Sequence, residues 1–337
     1  MRIGAHFLCE NFSSYIESVK AAEAEGYARA WHVDSQMLWE DAYTYMAYAL
    51  GATKRIQLGT AVSNPITRHY TVCASAAATL ARLHPGRMIL GLGRGDSAIR
   101  TLGYKQVSTA KMEKVLGKVK ALMAGERVDE NGSEIRIRWA DEDVPLMYAA
   151  TGPRNLRLGG ALADIVMLQV GTHPSAVRWA IDQVHAGARE AGRDPKSVEI
   201  SLLCGMWVSE DRREALEKTR WSAACAANHL DDVARRVPDH GMPEKLTQVV
   251  AVRRDHYDYY AGHLSSQADH TDYLRDELID AFAIAGTADF CLARIEELRT
   301  LGVGEISSAY LNGELAQIAR VGREIIKPLS AWERVKR

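Results

Sequence analysis

Short apolar runs alternate with longer stretches of helical periodicity along nearly the whole chain, and few architectures accept that rhythm. RIGAHFL (2–8) precedes SYIESVKAAEAEG, whose apolar positions recur at helical spacing until Gly26 stops it. ARAWHVD (28–34), IQLGTAV (56–62), MILGLGR (88–94), PLMYAAT (145–151), DIVMLQV (164–170), VEISLLCGMWVS (198–209) and GEISSAYL (304–311) complete a set of eight strand candidates. Strands separated by helices pair in parallel, and eight such units favour a closed α/β fold, the (β/α)8 TIM barrel. An open doubly wound sheet is the competitor. It should open its first helix on a glycine-rich turn, and the first strand here has none. A chain of 337 residues suits a single barrel domain over 1–337.

The rhythm breaks once. Between the seventh and eighth candidates, 211–303 reads as mostly helical and is too long for one crossover, which predicts an insertion at about 211–280. Its segment HYDYYAGHLSSQADHTDYLRDE (256–277) holds histidines without a tight i, i+4 pair and glutamate, so no metal site is read there. A helical lid or a subunit contact is the economical use. Forty-two Lys+Arg against 43 Asp+Glu leave a formal charge of −1, which advertises neither nucleic acid nor an anionic membrane as partner. No apolar window is long enough to span a bilayer and no secretory signal is apparent. Cys9, Cys73, Cys204, Cys225 and Cys291 are scattered without CxxC spacing, as expected of a reducing cytoplasm.

A (β/α)8 barrel carries its chemistry at the carboxyl ends of its strands. Those ends offer Asp34 and Ser35 after the second strand, Asn64 after the third, and Arg94, Gly95 and Asp96 after the fourth. Thr151, Gly152, Pro153 and Arg154 follow the fifth, and Gln169 to His173 the sixth. His32 and Asp34 lie two apart on a strand and share a face. An inward aspartate needs a partner, and a structural carboxylate meeting an arginine accounts for Asp34 as well as a functional role does. ATGPRNL (150–156) runs from strand directly into helix, so free amides and a positive dipole end make it a phosphate seat to which Arg154 adds charge. An ordinary strand–helix turn explains the same glycine and proline. GLGRGD is only a fragment of a nucleotide-binding glycine motif. Trp31, Trp39, Trp207, Trp221 and the cluster Tyr257, Tyr259 and Tyr260 suit either an aromatic pocket or core packing.

Taken in order, AWHVDSQMLWED, the stretch from IQLGTAVSNPITRHY through MILGLGRGDSA, LMYAATGPRNLRLGGALADIVMLQV and FAIAGTADFCLARIEELRTLGV resemble the bacterial luciferase-like superfamily. The nearer likeness is to its F420-dependent branch, the methylenetetrahydromethanopterin reductase-like enzymes. The resemblance implies an oxidoreductase that binds the deazaflavin F420, or alternatively FMN, and transfers hydride to or from a small organic substrate. An FMNH2-dependent monooxygenase supplied by a separate reductase is the second reading, and a non-catalytic flavin-binding protein the third. It further implies a homodimer, which the alanine-rich helix at 73–82 would allow to pack closely.

Residue by residue, the resemblance puts Asp34 and Ser35 at the ring end of the coenzyme and a non-proline cis peptide at Ala61–Val62 behind the ring. Asn64 becomes a polar contact, and Thr151, Gly152, Pro153, Arg154 and Asn155 hold the phosphate. The glycines near Gly95 let the backbone approach a flat ring. Asp96 becomes the first choice for proton transfer, with burial raising its pKa toward neutrality. Ser35 departs from the pattern, because the family places an acid–base histidine there. A serine hydroxyl does not titrate in a useful range, which leaves His32 as a substitute.

Overall fold

The computed structural model describes residues 1–236, 276–310 and 313–335. Eight strands close into a parallel barrel: β1 (Arg2–Phe7), β2 (Arg29–His32), β3 (Gln57–Thr60), β4 (Met88–Leu92), β5 (Leu146–Ala150), β6 (Ile165–Leu168), β7 (Glu199–Val208) and β8 (Glu305–Ala309). Each pairs in parallel with the next, and β8 returns to β1 with Gly4 opposite Ser307, so the ring of eight strands is closed. All eight sequence candidates are strands of this barrel.

The interior is filled, as a barrel of this size requires. Trp31 of β2 crosses the axis and packs with Ile89, Met147, Ile165 and Met167. Its indole needs the space that glycines leave: a Cβ on Gly59 would fall 2.6 Å from the ring, and one on Gly4 3.2 Å from Nε1. Below it, at the amino end of the barrel, Arg29 donates to Glu305 at 2.5 Å and to Glu199 at 2.7 Å, while Trp31 Nε1 donates to Glu305 at 2.8 Å. These charges close the floor and leave the carboxyl rim as the open end.

Two features depart from the sequence reading. The span 211–303 is not only helix. Ala283–Gly286 is a ninth strand, paired in parallel with the outer half of β7, Gly205–Val208. Four residues are too few to show a period, which hides such a strand in a helical stretch. A short antiparallel hairpin, Val128–Glu130 with Ser133–Ile135, also lies outside the barrel. The insertion itself begins with a 25-residue helix, Arg212–Arg236. Tyr257, Tyr259, Tyr260 and the histidines of 256–277 lie outside the described residues.

Candidate active site at the carboxyl rim

The rim encloses a cavity of about 270 Å3. Asp34, Ser35, Ala61, Val62, Asn64, Gly95, Asp96, Thr151, Gly152 and Asn155 all line it, although they come from four different strand ends. One wall is the 212–236 helix, which presents Trp221, Ser222, Cys225, His229 and Val233. Their spacing of one, three, four and four residues is a single helical face. Gln169, after β6, joins this wall by donating to Cys225 Sγ at 3.6 Å.

At the end of β2, the Asp34 carboxylate is only 3% exposed and fully engaged. Arg68 grips it through Nε at 2.8 Å and Nη2 at 3.0 Å, and Ser63 Oγ donates at 2.6 Å. Arg68 in turn stacks 4.8 Å from the Tyr43 ring centre. The aspartate therefore meets an arginine, the structural alternative open at the sequence level, while still facing the cavity. Ser35 Oγ lies 2.6 Å from Ser97 Oγ, a buried hydroxyl pair that joins the ends of β2 and β4. Asn64 is drawn into its own turn, accepting from the Ile66 and Thr67 amides at 3.0 Å each.

His32 is a correction. It points outward, between its strand and the helix Phe12–Glu25, where Tyr15 Oη lies 2.7 Å from Nε2 and the Gly59 carbonyl 3.2 Å from Nδ1. Burial pushes its pKa down to about 4. With Trp31 inward, the alternation of the strand sends His32 to the opposite face. The histidine that does face the cavity from the strands is His6 of β1. It is 5% exposed, lies 6.4 Å from Trp31 between ring centres, and its Nε2 has no hydrogen-bond partner among the described residues. Burial, aided by His32, lowers its pKa to about 3, so the ring is neutral.

The peptide between Ala61 and Val62 is cis. The glycines at the end of β4 answer to this bulged segment, while Gly93 and Gly95 also line the cavity. A Cβ on Gly91 would lie 1.8 Å from the Thr60 carbonyl oxygen, and one on Gly93 2.6 Å from Val62 Cγ2. Gly91 and Gly93 let β3 and its bulge lie against β4, and Gly95, with φ of 89°, takes a left-handed turn that presents Asp96. Arg94 also faces the cavity, and its Nε donates to the Val107 carbonyl at 2.5 Å.

After β5, Gly152 caps the helix Pro153–Leu162. The first amide to bond back is Leu156, to Gly152 O at 2.9 Å. Pro153 has no N–H, and the Arg154 and Asn155 amides have no backbone acceptor among the described residues, which is the donor arrangement an anion requires. Asn155 reaches the cavity, with Oδ1 accepting from Tyr148 at 3.0 Å and Thr109 at 3.1 Å. The Pro153 and Arg154 side chains do not line the cavity, and Arg154 is exposed. The turn therefore offers amides and dipole without the arginine charge expected of it, because the second residue of the helix projects away from the barrel axis.

Arg94, offered at the end of the fourth strand, and Trp221, offered as a pocket aromatic, both reach the cavity, whereas His6, Cys225 and His229 reach it without having been singled out as site residues by sequence. His6 carried a usable signal, since it shares a strand face with Gly4 and Leu8. His229 carried none, because the register of the insertion helix against the rim is not written in its own periodicity. Among the described residues, no cluster of three or more His, Cys, Asp or Glu is placed to hold a metal ion.

A filled parallel barrel with a closed charged floor, a bulged third strand and an amide-rich turn after the fifth defines a class of ligand-binding α/β barrel. The family model for luciferase-like monooxygenases matches residues 3–305. The chain belongs to this luciferase-like family of oxidoreductases. It is 32% identical, over 91% of its length and 94% of the relative's, to the 5,10-methylenetetrahydromethanopterin reductase of Methanolobus tindarius. It is 31% identical, over 67% of its length and 73% of the relative's, to the F420-dependent glucose-6-phosphate dehydrogenase of Nakamurella multipartita. Its fold matches the F420-dependent tetrahydromethanopterin reductase of Methanopyrus kandleri with a TM-score of 0.76 at 22% identity, over 97% of this chain and 98% of that one.

Proposed function

We propose that this protein is an F420-dependent oxidoreductase that transfers hydride between the coenzyme and a small organic substrate. One observation carries the reading: a single cavity joins the amide donors after β5, the cis-peptide bulge after β3 and Asp96, in a chain whose curated relatives include F420-dependent enzymes. The Thr151–Asn155 turn would hold the anionic tail of the coenzyme, and the Ala61–Val62 segment would back its ring. Bound there, the coenzyme supplies the hydride chemistry. The chain's own work is to orient the reactants, exclude water and hold a proton beside Asp96.

The helix wall facing the cavity, Trp221, Ser222, Cys225, His229 and Val233, carries no lysine or arginine, which suits a substrate whose reacting part is uncharged. No described helix is long and apolar enough to cross a membrane, and the five cysteines are buried and unpaired, consistent with a cytoplasmic enzyme. We carry the homodimer as part of this proposal.

The test is a titration of the purified protein with F420 and with FMN. It is followed by oxidation of reduced F420 against 5,10-methylenetetrahydromethanopterin and a panel of ketones. F420 should bind at least about tenfold more tightly than FMN, a difference of about 1.4 kcal/mol. Tighter FMN binding with oxygen uptake from FMNH2 would establish the monooxygenase reading, with its separate reductase, instead.

A further inference from the structure

Among the described residues, the cavity holds few groups able to exchange a proton near neutrality. His6 is held neutral by burial, His32 faces away from the site, and the Ser35 and Ser97 hydroxyls are paired with each other. Asp96 is the carboxylate at the reacting end, but Arg100 Nε lies 2.7 Å from its Oδ1. A guanidinium at that distance favours the charged carboxylate and works against the proton-donating acid that the sequence reading assigned to it. The other oxygen of Asp96, Oδ2, lies 3.7 Å from His229 Nε2, which reaches across from the insertion helix and also lines the cavity. An imidazole ordinarily titrates in the physiological range, and a carboxylate beside it orients the ring and steadies its charged form.

We propose that His229 is the proton-transferring catalytic residue of this site and that Asp96, anchored by Arg100, is its positioning partner. This rests on the oxidoreductase reading above. In the reducing direction the N–H bond of the imidazolium on the ring nitrogen that Asp96 does not hold breaks, and its proton joins the substrate oxygen or nitrogen. The adjacent substrate carbon gains the hydride pair from the reduced deazaflavin, and a neutral imidazole remains, to be reprotonated from solvent. The reverse direction returns the proton to the imidazole. The imidazole thus enters from the insertion helix, while the carboxylate comes from the barrel.

The test begins with the coenzyme-free protein. The His229 ring is titrated by NMR in wild type and in Asp96→Asn. Besides Asp96 and Arg100, the charged or titratable groups on this cavity among the described residues are Asp34 with its partner Arg68, Arg94, His6, Cys225 and Tyr310, and all are unchanged in that variant. Loss of the carboxylate should lower the His229 pKa by about half a unit or more. His229→Ala and His229→Gln should bind F420 within about twofold of wild type. With the panel substrate that wild type turns over best, both should lose about a hundredfold or more in kcat, partly restored in His229→Ala by added imidazole. An unchanged His229 titration in Asp96→Asn, or turnover within threefold of wild type in His229→Ala, overturns the proposal. Failure of wild type to bind F420 sinks the coenzyme reading instead, and the NMR titration still reports the pair.

Discussion

At the scale of single residues, two histidines show how burial and orientation separate. His6 and His32 are both covered, and burial lowers both pKa values, to about 3 and about 4. Only His6 faces the cavity. Both bind fewer protons folded than unfolded between their lowered pKa values and about 6.5, so their contribution is intact above about pH 6.5 and is lost as pH falls toward 4. His32→Gln should therefore lose about 1–2 kcal/mol less stability than wild type between pH 7 and pH 5, measured by urea unfolding at both values. An equal loss would mean that His32 is not held neutral in the folded protein. The sequence marked His32 as polar on a strand. It could not mark the side, because both faces of a parallel barrel strand are buried and neither face reads as solvent.

At the scale of elements, glycines set the distances that shape the site. The helix Pro153–Leu162, whose amino end forms the amide turn, crosses Pro174–Glu190 at close range. A Cβ on Gly160 would lie 1.9 Å from the Val184 carbonyl oxygen, and one on Gly187 2.0 Å from that of Arg157. Gly160→Ala should cost about 2–3 kcal/mol by overpacking. It should also weaken F420 binding by shifting the turn, as read by denaturant midpoint and coenzyme titration together. Full stability with unaltered binding would show that the two helices can separate without moving the site. The eight strands and the helix start at Pro153 were legible because proline and the apolar runs punctuate locally. The crossing was not, since glycines in a helix look the same whether they meet solvent or another backbone.

At the scale of the whole molecule, the floor and the rim divide stability from function. Arg29, Glu199, Glu305 and Trp31 seal the amino end with charge-assisted hydrogen bonds, while the cavity stands at the opposite end. A ligand at the rim then adds to the stability of a barrel that is already closed. F420 at a hundred times its dissociation constant should stabilise the protein by about 2.7 kcal/mol. With an unfolding entropy of about 2.1 cal/mol/K per residue over 337 residues, that corresponds to a rise in Tm of roughly 4 °C. Thermal unfolding with and without coenzyme measures it, and an unmoved Tm would mean that the folded protein does not bind the coenzyme.

The sequence by itself determined the barrel and the places where its chemistry must emerge. Strand–helix alternation leaves parallel closure as the solution, and the carboxyl ends follow from chain direction. Only the tertiary structure decided which residues at those ends meet. It turned His32 out and His6 in, gave Asp34 to Arg68, drew Arg154 away from the cavity and laid His229 against Asp96. Local periodicity fixes what an element is. The rotation of one element against another is set by packing between residues far apart in the chain, and that information belongs to no single stretch of it.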